Sequence, residues 1–175
     1  MKNSGLVHIY TGDGKGKTTA AVGLAVRARG AGLRVLFIQF LKSRPTSEQL
    51  PLQTLGIEVL RPTSCPKFFF EMDEKQKERC VREQQDALCA ARQAMLEGRC
   101  DLIVLDEVLD AVSLGCLDET RLIEMLHNRA SGVEVVLTGR GLSDRLGGFA
   151  DYLSVISAKK HPYEKNMPAR LGIEY

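Results

Sequence analysis

Apolar residues along this chain fall into short, nearly continuous runs that are separated by longer segments of mixed polarity. The clearest runs cover residues 6–10, 34–41, 101–105 and 133–137, with weaker ones at 57–60 and 152–156. We expect a β-strand at each run. Strands that are apolar throughout and alternate with helices are typical of a parallel sheet with both faces covered.

The segments between these runs carry helix signals. Residues 17–32 are good helix formers with small apolar residues at helical spacing. Asp73 can cap the next long helix, because Gln76 stands three residues later as a capping box requires. Two further helices are expected, at residues 118–130 and near Asp144. The alternation predicts an α/β fold, a mostly parallel sheet with helices on both faces.

Composition and charge narrow the class of protein. The chain has 175 residues with neither an internal repeat nor a linker, so we expect a single domain over residues 1–175. Its net charge of +2 is too small to indicate a nucleic-acid partner. No apolar stretch approaches the roughly 20 residues of a membrane span, and no signal peptide is evident. We expect a cytoplasmic protein with no membrane partner.

The cysteines favour the same compartment. They are Cys65, Cys80, Cys89, Cys100 and Cys116. Because their number is odd and no C-x-x-C pair occurs, reduced thiols are favoured over a disulfide framework or a zinc site. The three histidines are likewise assigned no metal.

The strongest motif is a glycine-rich segment after the first predicted strand. Residues 11–18 read TGDGKGKT and match the Walker pattern G-x-x-x-x-G-K-[ST], except that Thr11 replaces the first glycine. The glycines let successive N–H groups point at phosphate oxygens, and the following helix adds its positive end. Lys17 adds a point charge and the Thr18 hydroxyl can ligate Mg²⁺, whereas Lys15 either touches phosphate or faces water. The predicted ATP-binding residues of this segment are Gly12, Asp13, Gly14, Lys15, Gly16, Lys17, Thr18 and Thr19.

A pair of acids follows another predicted strand. Asp106 and Glu107 come directly after the apolar run Leu-Ile-Val-Leu, which is the placement of a Walker-B acid. Carboxylates there can bind Mg²⁺ together with Thr18; the alternative is an acidic helix N-cap. Because parallel strands present their carboxyl ends at one rim, Thr11, Asp106 and Thr138 are expected to meet. These patterns alone indicate a P-loop ATPase or kinase.

Several longer motifs extend this interpretation. They are TGDGKGKTTAAVG at 11–23, VLFIQFLK at 35–42, DLIVLDE at 101–107, VLTGRG at 136–141, KKHPY at 159–163 and GIEY at 172–175. In this order they resemble the P-loop type of corrinoid adenosyltransferase, from about residue 7 to the last residue. The resemblance implies a P-loop NTPase-like (RecA-like) fold. It also implies transfer of the 5′-deoxyadenosyl group of ATP to the Co(I) of a corrinoid, with release of triphosphate, in adenosylcobalamin synthesis or salvage.

The resemblance further implies Mg²⁺, a homodimer, and a reductase or flavoprotein as electron donor. Thr18, Glu107 and Asp106 would surround the metal ion, and Gln39 and Lys42 match motif positions near the site, on the corrinoid side. Arg140 either pairs with phosphate or is an exposed strand-end arginine. Complete cobalamin and a biosynthetic precursor both fit as the corrinoid.

The aromatic segment departs from the family pattern. Relatives often carry F-x-W-E, whose aromatic residues are thought to press on the lower face of the corrin ring and displace the lower cobalt ligand. This chain has Phe68-Phe69-Phe70-Glu71 and no tryptophan. Phe68 and Phe70 are therefore assigned to the corrinoid, and the alternative is that these phenylalanines are core residues.

Two rival functions remain at this stage. One is a P-loop ATPase or kinase of unknown substrate, and the other is a non-catalytic, ATP-dependent corrinoid carrier. A generic kinase has no reason to carry the Q-F-x-K and T-G-R-G segments or the phenylalanine run. Product formation from ATP and reduced corrinoid separates the enzyme from the carrier.

Overall fold

The computed structural model describes residues 5–42, 45–62 and 68–175. Within these residues, six parallel strands form one sheet in the order β3-β2-β4-β5-β1-β6. The strands are β1 Val7–Thr11, β2 Val35–Gln39, β3 Glu58–Leu60, β4 Leu102–Asp106, β5 Glu134–Thr138 and β6 Tyr152–Val155. The predicted α/β fold is confirmed, whereas its RecA-like assignment stays a prediction.

Six α-helices lie within the described residues, and four of them were predicted from the sequence. They are α1 Lys17–Gly30, α2 Gln49–Thr54, α3 Glu74–Leu96, α4 Val108–Ser113, α5 Glu119–His127 and α6 Asp144–Gly147. The capping box of α3 is present, with Gln76 N–H donating to Asp73 Oδ1 over 2.9 Å. The sequence analysis missed α2 and α4, because six residues are too few to show a helical period. No helix in the described ranges is long and apolar enough to cross a membrane.

The sheet is buried because helices cover both of its faces. Successive residues of a strand point to opposite faces, and in β4 Ile103 and Leu105 join one apolar cluster while Leu102 and Val104 join the other. The first cluster includes residues of α3, α4 and α5, and the second includes residues of α1 and α2. This two-sided burial explains why the central strands are apolar throughout.

The cysteines differ from the expectation in one respect. Cys89, Cys100 and Cys116 are free, and burial raises the pKa of the Cys100 and Cys116 thiols to about 11. Cys80 is disulfide-bonded, so the prediction of reduced thiols is wrong for this residue. Cys65 lies outside the described residues.

Candidate functional site

Polar side chains meet where the central strands end, as the sequence predicted. Thr11, Asp106 and Thr138 are buried at the carboxyl ends of β1, β4 and β5. The Thr138 hydroxyl donates to Asp106 Oδ1 over 2.7 Å, and the Thr11 hydroxyl donates to the carbonyl of Arg140 over 3.3 Å. Hydrogen bonds made by these strand-end side chains thus connect β4 with β5 and β1 with the segment after β5.

A cavity of about 670 Å³ opens at this rim. It brings together most of the residues that the sequence singled out, namely residues 13–19, Lys42, Phe68, Phe70, Glu107 and Arg140. The cavity also has lining residues that the sequence analysis did not assign, including Asp110 and Ser113 of α4. No local signal marked them, because α4 itself was not predicted.

The glycines of the loop over residues 12–16 are required by backbone geometry. Gly12 and Gly16 have φ values of 103° and 126°, a region that side chains disfavour. A Cβ on Gly12 would lie 2.4 Å from the carbonyl oxygen of Ile156, and one on Gly14 would lie 2.8 Å from it. The Gly14 N–H donates to that oxygen over 2.8 Å. The loop therefore packs directly against the segment after β6, a contact that the motif did not reveal.

Lys17 is folded back over this loop. Its Nζ donates to the carbonyls of Gly12 and Gly14 over 2.6 and 2.8 Å. Burial lowers the pKa of Lys17, and the Arg140 charge adds to this effect. Because the two carbonyls are neutral acceptors, they leave the positive charge of the ammonium available for an anion at the loop.

Asp106 is the most buried charged group of the site. Its Oδ1 accepts hydrogen bonds from the hydroxyls of Thr18 and Thr138, over 2.8 and 2.7 Å. Its Oδ2 is buried and has no hydrogen-bond partner among the residues that the structure describes. A buried oxygen of this kind is costly unless something binds it. An unsatisfied carboxylate oxygen next to a threonine hydroxyl fits the oxygen ligands that Mg²⁺ prefers.

Glu107 occupies the N-cap position of α4 but does not cap it. Its φ of 61° is left-handed, and its side chain makes no cap hydrogen bond. Left-handed backbone at a non-glycine residue persists where the surroundings enforce it, and such residues cluster at functional sites. Here the Glu107 N–H donates to the Thr138 hydroxyl over 2.9 Å. These contacts do not support the alternative of a simple acidic N-cap.

Lys42 lies against both acids. Its Nζ is 2.6 Å from Glu107 Oε1 and 3.7 Å from Asp106 Oδ2. Burial lowers the pKa of Lys42, but the charges of Asp106 and Glu107 outweigh burial, so the pKa is raised overall. Burial raises the pKa of the Glu107 carboxyl, and the Lys42 ammonium opposes that shift.

Gln39 lies beneath the cavity rather than on its surface. It is fully buried, its amide donates to Glu48 Oε1 over 2.7 Å, and its carbonyl oxygen accepts from the Thr46 hydroxyl over 3.3 Å. These contacts position the chain after β2. A direct contact between Gln39 and the corrinoid stays a prediction.

Phe68 and Phe70 form an exposed aromatic pair. Their side chains are 65% and 77% exposed, and their rings stack with centroids 5.6 Å apart and planes 3° from parallel. Phe69 between them packs against the core instead. The core alternative therefore describes Phe69 and not its two neighbours. A flat, exposed apolar pair at a cavity suits a large apolar ligand.

The segment near the end of the chain also reaches the cavity. Ile173 and Glu174 line it, and Lys15 Nζ lies 3.0 Å from Glu174 Oε1. Hydrogen bonds from Arg170 and Lys15 lower the pKa of the Glu174 carboxyl to about 2. Lys15 thus pairs with a carboxylate of this chain, an option that the sequence analysis did not consider. In the sequence, the GIEY motif was the signal that this segment belongs to the site.

Comparisons with known proteins agree with this geometry. A family model described as ATP:corrinoid adenosyltransferase BtuR/CobO/CobP matches residues 3–175. The corrinoid adenosyltransferase of Escherichia coli is 30% identical over 172 residues, which cover 98% of this chain and 86% of the relative. The corrinoid adenosyltransferase CobA of Salmonella typhimurium is 32% identical over 181 residues, covering 100% of this chain and 88% of the relative.

The Pseudomonas aeruginosa corrinoid adenosyltransferase is similar at 29% identity, covering 98% of this chain and 84% of the relative. These matches confirm the resemblance that the motifs indicated. They span nearly the whole chain and most of each relative, so they are not limited to the glycine-rich loop. On this evidence the chain belongs to the ATP:corrinoid adenosyltransferase family BtuR/CobO/CobP.

Proposed function

We propose that this protein transfers the 5′-deoxyadenosyl group of ATP to the Co(I) of a corrinoid and releases triphosphate. One observation carries the proposal: a single cavity is lined both by a cationic glycine-rich loop and by the exposed pair Phe68 and Phe70. The loop suits a polyphosphate, and the aromatic pair suits a large flat ring. A kinase needs only the first of these two surfaces, whereas a transfer between two cofactors needs both.

The triphosphate is assigned to the loop, where Lys17 and the N-terminus of α1 supply positive charge. Thr18 and Asp106 are proposed to bind Mg²⁺, with Glu107 close by, and the unsatisfied Oδ2 of Asp106 supports this assignment. Bound there, Mg²⁺ would supply positive charge to the phosphate oxygens. Arg140 lines the same cavity and is proposed to contact phosphate.

In the proposed reaction the Co(I) electron pair attacks the 5′-carbon of ATP. The Co–C bond forms as the bond between the 5′-carbon and the triphosphate oxygen breaks, and triphosphate leaves with the electron pair. No side chain acts as a nucleophile. The protein aligns the two substrates, and Lys17 together with loop N–H groups stabilises negative charge on the leaving oxygens.

Phe68 and Phe70 are proposed to pack against the lower face of the corrin ring. Displacing the lower ligand makes Co(II) four-coordinate, which eases its reduction to the nucleophilic Co(I) state. The large exposed area of both rings supports this role, because contiguous exposed apolar surface often marks a ligand-binding or interaction site.

The remaining properties are proposed from the family resemblance. The protein is proposed to be a homodimeric, cytoplasmic, single-domain P-loop protein of RecA-like fold. Its corrinoid would receive electrons from a reductase or flavoprotein. Cobalamin and a biosynthetic precursor are both corrinoids that the proposed chemistry accepts.

The bond that breaks in ATP tests the proposal against a kinase or ATPase. Purified protein mixed with MgATP and chemically reduced cobalamin should yield triphosphate and adenosylated corrinoid in equal amounts, as followed by phosphorus NMR and the visible spectrum. An ATP analogue with a methylene bridge between the β- and γ-phosphorus should still react, because that bond stays intact. ADP and phosphate as main products would refute adenosyl transfer, and an unchanged corrinoid would favour the carrier.

Phe70→Ala tests the aromatic surface. An aromatic contact is worth about 0.5–1.5 kcal/mol beyond its buried area, so adenosylation from Co(II) corrinoid plus reductant should slow about tenfold. Preformed Co(I) needs no ligand displacement and should react at nearly the normal rate. Both assays are run beside Phe69→Leu, which alters a core contact and should lower the melting temperature instead. Equal losses from both cobalt states would contradict the proposed role.

A further inference from the structure

Lys42 is held in a position unlike that of an ordinary surface lysine. Its side chain is only 18% exposed, and its Nζ contacts Glu107 Oε1 while lying 3.7 Å from Asp106 Oδ2. We propose that Lys42 is a built-in counter-cation of these two carboxylates and weakens the binding of a divalent cation to the nucleotide-free protein. The inference rests on the proposed function in one point, that these carboxylates belong to the Mg²⁺ site.

The charges of the site explain why a counter-cation is needed. Asp106 Oδ1 accepts from two hydroxyl donors, but within the described part of the chain its buried Oδ2 has no hydrogen-bond partner. Glu107 adds a second negative charge next to it. Two neighbouring carboxylates in a poorly solvated place repel each other unless a cation compensates them. With Lys42 the three side chains carry a net charge of −1, and without it they carry −2.

The backbone on both sides of Lys42 is fixed by other elements. Leu41 has a left-handed φ of 55°, and its N–H donates to Oε1 of the buried Gln84 on α3 over 3.1 Å. The carbonyl of Lys42 accepts from Nε and Nη2 of Arg61 over 3.2 and 3.0 Å. Because these contacts over-determine a strained backbone, the Cα of Lys42 is held at a place from which its ammonium reaches both acids.

The motif predicted a different role for Lys42, namely contact with the corrinoid. Lys42 lines the cavity, as a corrinoid ligand must, but its ammonium is directed at Glu107 over 2.6 Å. A corrinoid would have to share this ammonium with Glu107. A divalent cation at Asp106 and Glu107, in contrast, competes with the ammonium for the same oxygens.

The test measures Mn²⁺ binding to the nucleotide-free protein, using the EPR signal of free Mn²⁺. Lys42→Met keeps an unbranched side chain one atom shorter and removes its charge, so Mn²⁺ should bind at least about tenfold more tightly, since 1.4 kcal/mol suffices for that change. Lys42→Arg keeps the charge and should stay near wild type. Lys77→Met removes an exposed lysine that pairs with Glu74 on α3 and is the matched control.

Two further variants keep the test decisive if Lys42→Met does not fold. Glu107→Gln leaves a net charge of zero and should bind Mn²⁺ more weakly than wild type. Lys42→Met combined with Glu107→Gln restores −1 and should return the affinity close to wild type. The inference is supported if Lys42→Met binds Mn²⁺ most tightly, wild type and the double variant bind it less tightly, and Glu107→Gln binds it most weakly.

Other results overturn it. If folded Lys42→Met binds Mn²⁺ as tightly as wild type, Lys42 does not compete with the cation. The same conclusion follows if the double variant and Glu107→Gln bind Mn²⁺ equally tightly. Weaker binding of cob(II)alamin to Lys42→Met with normal Mn²⁺ binding would make Lys42 a corrinoid ligand instead. These measurements need no turnover, so failure of the adenosyl-transfer proposal would appear separately, as ADP in the phosphorus NMR experiment.

Discussion

Lys17→Ala is expected to reduce turnover by roughly 10²–10³-fold, the usual effect of removing one group that stabilises developing negative charge. Among the described residues no carboxylate contacts the Lys17 ammonium, which donates instead to two neutral loop carbonyls over 2.6 and 2.8 Å. A bound triphosphate can therefore pair with the Lys17 ammonium without breaking an existing ion pair. Binding of MgATP, measured by calorimetry, should weaken in parallel with the rate.

The matched control for this variant is Lys15→Ala. Lys15 belongs to the same loop, but its side chain is 44% exposed and pairs with Glu174. Because solvent screens exposed ion pairs, the loss should stay within about fivefold. Circular dichroism should show both variants folded. If folded Lys17→Ala bound MgATP and turned over like wild type, the loop would not be the triphosphate site.

Asp106→Asn should be nearly as damaging, with turnover about 10²-fold lower, equivalent to about 2.7 kcal/mol in the transition state. The amide can keep an acceptor for the hydroxyls of Thr18 and Thr138. It replaces the unsatisfied Oδ2, however, with either a donor or a neutral oxygen, and removes the negative charge that Mg²⁺ requires. Initial rates measured against Mg²⁺ concentration should show a raised metal requirement.

Asp110→Asn separates this effect from a general loss of negative charge in the cavity. Asp110 also lines the cavity, but its Oδ2 accepts a hydrogen bond from the Arg140 backbone N–H over 3.1 Å, and Arg140 is exposed. Its variant should shift the Mg²⁺ titration much less. A normal titration for Asp106→Asn, with Asp110→Asn impaired, would move the metal to the other acid.

Much of the site was predictable because its signals are local. The glycine-rich loop, the acids after β4 and the stacked phenylalanines each stand in a short continuous stretch of sequence. All three stretches contribute lining to one cavity, as the predicted rim requires. Gln39 and Lys42 also came from a local motif, but the motif did not say that one is buried and that the other pairs with Glu107.

By itself, the sequence determined the α/β class, the order of the strands along the chain and the long helices. Strands buried on both faces must be apolar throughout, and α3 begins at a capping box that four residues encode. Such features depend on neighbours in the chain. They can therefore be recognised without knowing where the rest of the molecule lies.

Only the tertiary structure decided which strands are adjacent, where α2 and α4 form and what each site residue contacts. Hydrogen bonds join Gly14 to Ile156, Lys42 to Glu107 and Lys15 to Glu174. They span separations of up to 159 residues along the chain. The partners in such contacts are chosen by the packing of the whole sheet and its helices. The physical reason is that charge pairing and close backbone approach depend on distance in space, which local sequence patterns do not encode.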